Sequence, residues 1–72
     1  MFNFGKHLKT LRTSKCITQK QLASLTGTSE RGIQNYEANL RKPTYEILIS
    51  LADYFDVSLD YLVGRSDDPT RH

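Results

Sequence analysis

The 72-residue sequence predicts an all-α domain of five helices. Two patterns carry this expectation. Apolar residues recur at i, i+3, i+4 and i+7, the spacing of one helix face. Each such run is preceded by Asn, Ser or Thr, whose side-chain oxygens can accept from the unpaired N–H groups of a helix start. Nowhere do apolar and polar residues alternate with period two, so strands are not expected.

Asn3 can cap a first helix that places Phe4, Leu8 and Leu11 on one face and frays near Ser14 and Lys15. Thr18-Gln19-Lys20-Gln21 fits a capping box, in which the Thr hydroxyl and the Gln three residues later satisfy each other's backbone donors. It opens a second helix bearing Leu22, Ala23 and either Leu25 or Thr26, stopped by Gly27. Ser29 caps a third helix spanning about 29–38, and Asn39 can take the left-handed conformation that ends it. Leu40-Arg41-Lys42-Pro43 forms a basic loop. Thr44 caps a fourth helix with Leu48, Leu51, Ala52 and Phe55, the strongest apolar stripe, and Asp56 ends it. Ser58 caps a short fifth helix, 59–63, closed by Gly64. These elements make one domain, 1–64, followed by a short flexible tail, 65–72.

Length and composition narrow the function. A chain of this size buries roughly 60% of its unfolded surface, enough for one modest core. Cys16 is the only cysteine, so no internal disulfide can staple it. Cys16, His7 and His72 match no zinc spacing, and neither cofactor nor small-molecule ligand is indicated. No apolar run is long enough for a signal peptide or a membrane span, which predicts a soluble cytoplasmic protein. Catalysis has no support: there is no Ser/His/Asp set, no carboxylate pair and no phosphate-cradling glycine loop. Cys16 reads as a bystander thiol in a turn and His7 as a solvated helix residue. The net charge of +2 conceals a split. Through Lys42 there are eight Lys and Arg against two acids, a net of +6; from Pro43 on there are two against six, a net of −4. Such asymmetry suits a nucleic-acid-facing half.

The third helix is unusual. In TSERGIQNYE only Ile33 and Tyr36 can serve a core, and Gly32 costs about 1 kcal/mol relative to Ala. Two apolar residues cannot hold so short a helix. Only Gly27-Thr28 separates it from the helix before, as in a helix-turn-helix. Ala23 is small where the two helices meet, Gly27 can supply positive φ, and Ile33 plugs the second helix of the pair into the core. The scaffold therefore holds a helix whose remaining face is free to project.

TQKQLASLTGTSERGIQNYE followed by RKPTYEILISLADYFDVSLDYLVG resembles the Cro/C1-type (lambda-repressor-like) helix-turn-helix family. The resemblance runs from about Phe4 to Gly64 and includes the Lys-Pro-Thr entry to the fourth helix and the Val-Ser-Leu-Asp-Tyr-Leu close. It implies a prokaryotic or phage transcriptional regulator, a repressor, that binds a two-fold operator as a homodimer and is not an enzyme. Carried over residue by residue, it assigns base-edge contacts to Glu30, Arg31, Gln34 and Asn35 on the third helix. Arg can grip guanine, Asn or Gln adenine, and Glu can accept from cytosine. Gly32 leaves bare backbone in the middle of that face. Phosphate contacts fall to Gln19, which also braces a recognition side chain, and to Arg41 and Lys42 in the basic loop. Arg12 and Glu37 match a family ion pair that orients the third helix, and Tyr36 reads as core.

The chain departs from the family at Ala38 and Asn39, where Asn-Gly is frequent, and at Thr26 and Thr28, where aliphatic residues are usual. The rival reading is an antitoxin-like protein-interaction module, but only a short tail follows Gly64 to serve as a partner-binding segment. Larger relatives oligomerise through a further domain; this chain is expected to dimerise through helix five and adjoining helix four, where Ile47, Ile49, Leu59, Tyr61, Leu62 and Val63 form an apolar surplus.

Overall fold

A computed structural model describes residues 2–70. Among them five helices follow in order: α1 (Phe4–Ser14), α2 (Gln19–Thr26), α3 (Glu30–Glu37), α4 (Tyr45–Phe55) and α5 (Leu59–Leu62). No strand occurs among the described residues.

Each helix begins at the residue whose chemistry predicts it. Asn3 Oδ1 accepts from the Lys6 N–H at 2.9 Å, Ser29 Oγ from Gly32 at 3.0 Å, Thr44 Oγ1 from Ile47 at 3.3 Å and Ser58 Oγ from Tyr61 at 3.0 Å. Thr18 and Gln21 close the reciprocal capping box at 3.0 and 2.8 Å. The ends are equally local. Gly27 (φ 77°), Asn39 (φ 60°) and Asp56 (φ 56°) adopt the left-handed conformation that stops α2, α3 and α4. Cys16 (φ 58°) does the same after α1 and is exposed.

The core is assembled from one fully buried aliphatic side chain per helix: Leu8, Leu22, Ile33, Leu51 and Leu62, all at 0% exposure. Ala23, Tyr36, Ala52, Phe55 and Val57 complete it. Burying each large side chain contributes about 1.5–3 kcal/mol, so no helix can leave without opening the centre. At the edge of this core, α1 and α3 touch at Gly5, where any Cβ would overlap the carbonyl of Glu37. The Gly5 N–H donates to Asn39 Oδ1 at 3.0 Å, and Asn39 Nδ2 donates to Asn3 Oδ1 at 2.7 Å. These bonds tie the end of α3 to the start of α1.

On α2 the structure settles an alternative that the sequence left open, and at Leu62 and His7 it departs from the expectation. On α2 the buried stripe is Leu22, Ala23 and Thr26, whereas Leu25 is 57% exposed. Thr26 lies one turn from Leu22 on the same face, and its hydroxyl is satisfied by the Leu22 carbonyl at 2.8 Å, so burial costs it no hydrogen bond. Leu62, expected in an apolar surplus, is wholly consumed by the core. His7 is not solvated but half-buried, edge-on between the rings of Phe2 and Tyr61 at centroid distances of 5.3 and 5.0 Å. Phe2 in turn covers Gly64, where a Cβ would collide with its ring. The start of the chain is thereby packed on the end of α5.

Beyond Gly64 the backbone turns back along α5. The Arg65 N–H donates to the Asp60 carbonyl at 2.7 Å and the Ser58 N–H to that of Pro69 at 3.0 Å. Residues 71 and 72, the end of the expected tail, lie outside the described residues.

His7 makes stability pH-dependent. Its Nε2 is buried without a hydrogen-bond partner among the described residues. Desolvation lowers its pKa from the ordinary 6.5, with the Tyr61 backbone opposing in part. The fold therefore favours the neutral ring. That contribution is complete above pH 6.5 and is lost as pH falls through the depressed folded value. Denaturant midpoints measured from pH 8 to 5 should decline for the native sequence, and His7→Phe should flatten the part of the decline that begins near pH 6.5.

Candidate nucleic-acid interface

The link between α2 and α3 is set by one carbonyl. Ala23, 3% exposed where the two helices pack, accepts from the N–H groups of both Gly27 and Thr28. The chain thus turns within Gly27-Thr28-Ser29 and delivers α3 against α1 and α2. At roughly 100° per residue, Ile33 and Tyr36 occupy the inner side of α3 and are buried. Glu30, Arg31 and Gln34 occupy the outer side and are exposed, with Asn35 half-buried at its margin. The four residues expected to reach base edges therefore share one face.

Gly32 differs from expectation. It is half-buried, and a Cβ there would press on the Thr28 and Ser29 hydroxyl oxygens at 2.6 and 3.3 Å. The missing side chain makes room for the cap of its own helix.

Arg12, Gln19 and Glu37 meet at the far end of α3. Arg12 Nε donates to Glu37 Oε2 at 2.6 Å and Nη2 to Oε1 at 3.2 Å. Its Nη1 donates to the Ile17 carbonyl at 2.9 Å. Gln19 Nε2 donates to Glu37 Oε1 at 3.0 Å. The side chains of the ion pair are only 12% and 5% exposed. Glu37 lies in the last turn of α3, where the helix dipole disfavours a carboxylate and no base of that turn compensates. Arg12, from α1, supplies the missing charge. One carboxylate thus joins three helices.

Arg41 and Lys42 are exposed on the loop between α3 and α4. The loop is bound to α3 through the Asn35 carbonyl, which accepts from Leu40 and Arg41 N–H groups at 2.9 and 3.4 Å. Gln19, by contrast, is half-buried against Glu37. Leu40 and Tyr45, 74% and 67% exposed, flank the basic loop; the sequence reading assigned them no role. Their signal was available, since neither belongs to an apolar stripe. Gly5, which sets the approach of α1 to α3, carried no such signal.

Because the ion pair is largely buried, its halves are not equivalent to the whole. Glu37→Ala leaves a buried guanidinium unpaired and should cost about 3–5 kcal/mol, whereas the joint replacement Arg12→Met with Glu37→Met should be close to neutral. Chemical denaturation of both variants checks this.

A family model described as helix-turn-helix matches residues 8–62. YobD, an uncharacterized HTH-type transcriptional regulator of Bacillus subtilis (strain 168), is 39% identical over 66 residues, covering 92% of this chain and 59% of its own length. The HTH-type transcriptional regulator ImmR of the same strain is 34% identical over 65 residues, covering 90% of this chain and 51% of its own length. The chain spans somewhat over half the length of these relatives. Among solved structures, the P22 c2 repressor protein in complex with a synthetic operator superposes with a TM-score of 0.86 at 26% identity, covering 92% of this chain and 100% of that one. An all-helical fold, a tight α2–α3 turn and a family match over most of its length lead to one assignment: the chain belongs to the helix-turn-helix family, of the Cro/C1 type.

Proposed function

We propose that the protein is a sequence-specific, double-stranded-DNA-binding transcriptional repressor that inserts α3 into the major groove of a two-fold operator. The observation that carries this is the outer face of α3. Glu30, Arg31, Gln34 and Asn35 project from a helix that the core and the Glu37 clamp hold rigid, in a fold that superposes on an operator-bound repressor. Base edges are the surface that such a set of donors and acceptors matches. Arg41, Lys42 and Gln19 lie on the flanking elements and serve the phosphates, which position the protein without carrying sequence information. The family is not an enzyme class, and no enzymatic role is proposed. No helix among the described residues is long and apolar enough to cross a membrane, and action on cytoplasmic DNA follows from this reading.

An operator selected from random duplexes tests the proposal directly. Arg41 and Lys42 of two protomers should give log K against log salt a slope of about −3 to −4. A flat response, or no enriched sequence, would point instead to a protein-interaction module.

Arg31→Ala should weaken binding to the selected operator by about 1–3 kcal/mol and relax the choice at one base pair. Arg41→Ala should weaken operator and scrambled duplex alike. Both side chains are exposed, so neither change should unfold the domain. Equal loss on both duplexes for Arg31→Ala would reassign that residue to the backbone.

The homodimer uses α5 and the adjoining side of α4. With Leu62 committed to the core, its surface comes from Ile47, Ile49, Leu59 and Val63, all half-buried in the single chain. Such a dimer would set two copies of α3 roughly 34 Å apart, one turn of DNA. Sedimentation with and without operator should detect it; a monomer on a single half-site excludes it.

A further inference from the structure

We propose that Glu37 is a positioning residue for the DNA contact of Gln19: the carboxylate that clamps α3 to α1 also sets the rotation of the Gln19 amide. The inference rests on the reading of Gln19 as a phosphate contact. A phosphate oxygen only accepts hydrogen bonds, so only the nitrogen end of a glutamine amide can serve it. A solvated glutamine on the first turn of α2 would turn either end outward. Glu37 removes that freedom. An ionised carboxylate also only accepts, so the amide edge facing Glu37 Oε1 at 3.0 Å must be the nitrogen. An amide nitrogen carries two hydrogens; one is held by Glu37 and the second remains for the phosphate.

A bare carboxylate beside a phosphate would repel it. Arg12 cancels that charge through two bonds to the same group, at 2.6 and 3.2 Å. The three side chains therefore act as one neutral unit. Because they come from α1, α2 and α3, the phosphate contact of Gln19 and the base-reading face of α3 are locked in a fixed register. Rotation of α3 in the groove would carry Gln19 with it.

The test is a cycle on DNA affinity. Gln19→Ala in the native background should weaken binding about 10-fold, on operator and scrambled duplex alike. In the Arg12→Met, Glu37→Met background, with folding checked by circular dichroism, the same change should cost at most about 2-fold, because the amide is already unguided. Equal loss in both backgrounds overturns the positioning role while leaving the phosphate contact intact. No loss in either background overturns the phosphate contact itself. A second measurement needs no substitution. The 15N relaxation of the Gln19 side-chain amide in the free native protein should match that of the rigid backbone; a freely averaging amide overturns the proposal even if the paired variant fails to fold.

Discussion

Glu37 sits at an unfavourable place for a carboxylate, in the last turn of α3, and yet it joins that helix to both α1 and α2. An eight-residue helix with two apolar side chains has too little burial of its own to persist. Ile33 and Tyr36 hold its inner side against the core. Arg12 and Gln19 reach the distal end from two other helices, and Gly5 lets the α1 backbone close on the Glu37 carbonyl. Those contacts tie the distal end of α3 to α1 and α2. The outer face can then be wholly polar without loss of stability.

The same logic separates two sides of the molecule. The clamp, the α2 start and the basic loop lie in the half of the chain with a net charge of +6, and the acidic residues are concentrated in α4, α5 and the segment beyond. The halves are joined by the core, where each helix contributes one fully buried aliphatic residue. They are joined again where Phe2 and His7 pack on Tyr61 and Gly64. α5 is only four residues long. Phe2 and His7 anchor it from the start of the chain, and the core consumes Leu62. A reading of α5 as spare apolar area counts as surface a residue that the fold requires inside.

Local chemistry determined the helices. A cap is a bond between residues three apart, and a left-handed stop is a property of one residue. Asn3, Thr18, Ser29, Thr44, Ser58 and the turns at Gly27, Asn39 and Asp56 were therefore readable from the sequence alone, as were the apolar stripes of α1 and α4. The outer face of α3 was readable for the same reason, since period and polarity place Glu30, Arg31 and Gln34 together. Resemblance to a family supplied the pairing of Arg12 with Glu37.

Only the tertiary structure decided what depends on residues far apart in the chain. Gly5 is required because the end of α3 passes it, and its amide finds Asn39 across a separation of 34 residues. His7 looks solvated on its own helix and becomes half-buried only because Phe2 and Tyr61 close over it. Thr26 displaces Leu25 from the core because the packed face of α2 is fixed by α3 and α4. The Gln19 amide faces Glu37 across 18 residues, and no local pattern encodes that bond. Short-range hydrogen bonding and periodicity are written in the sequence directly; the choice among faces, and the partners of buried polar groups, exists only once the helices have packed.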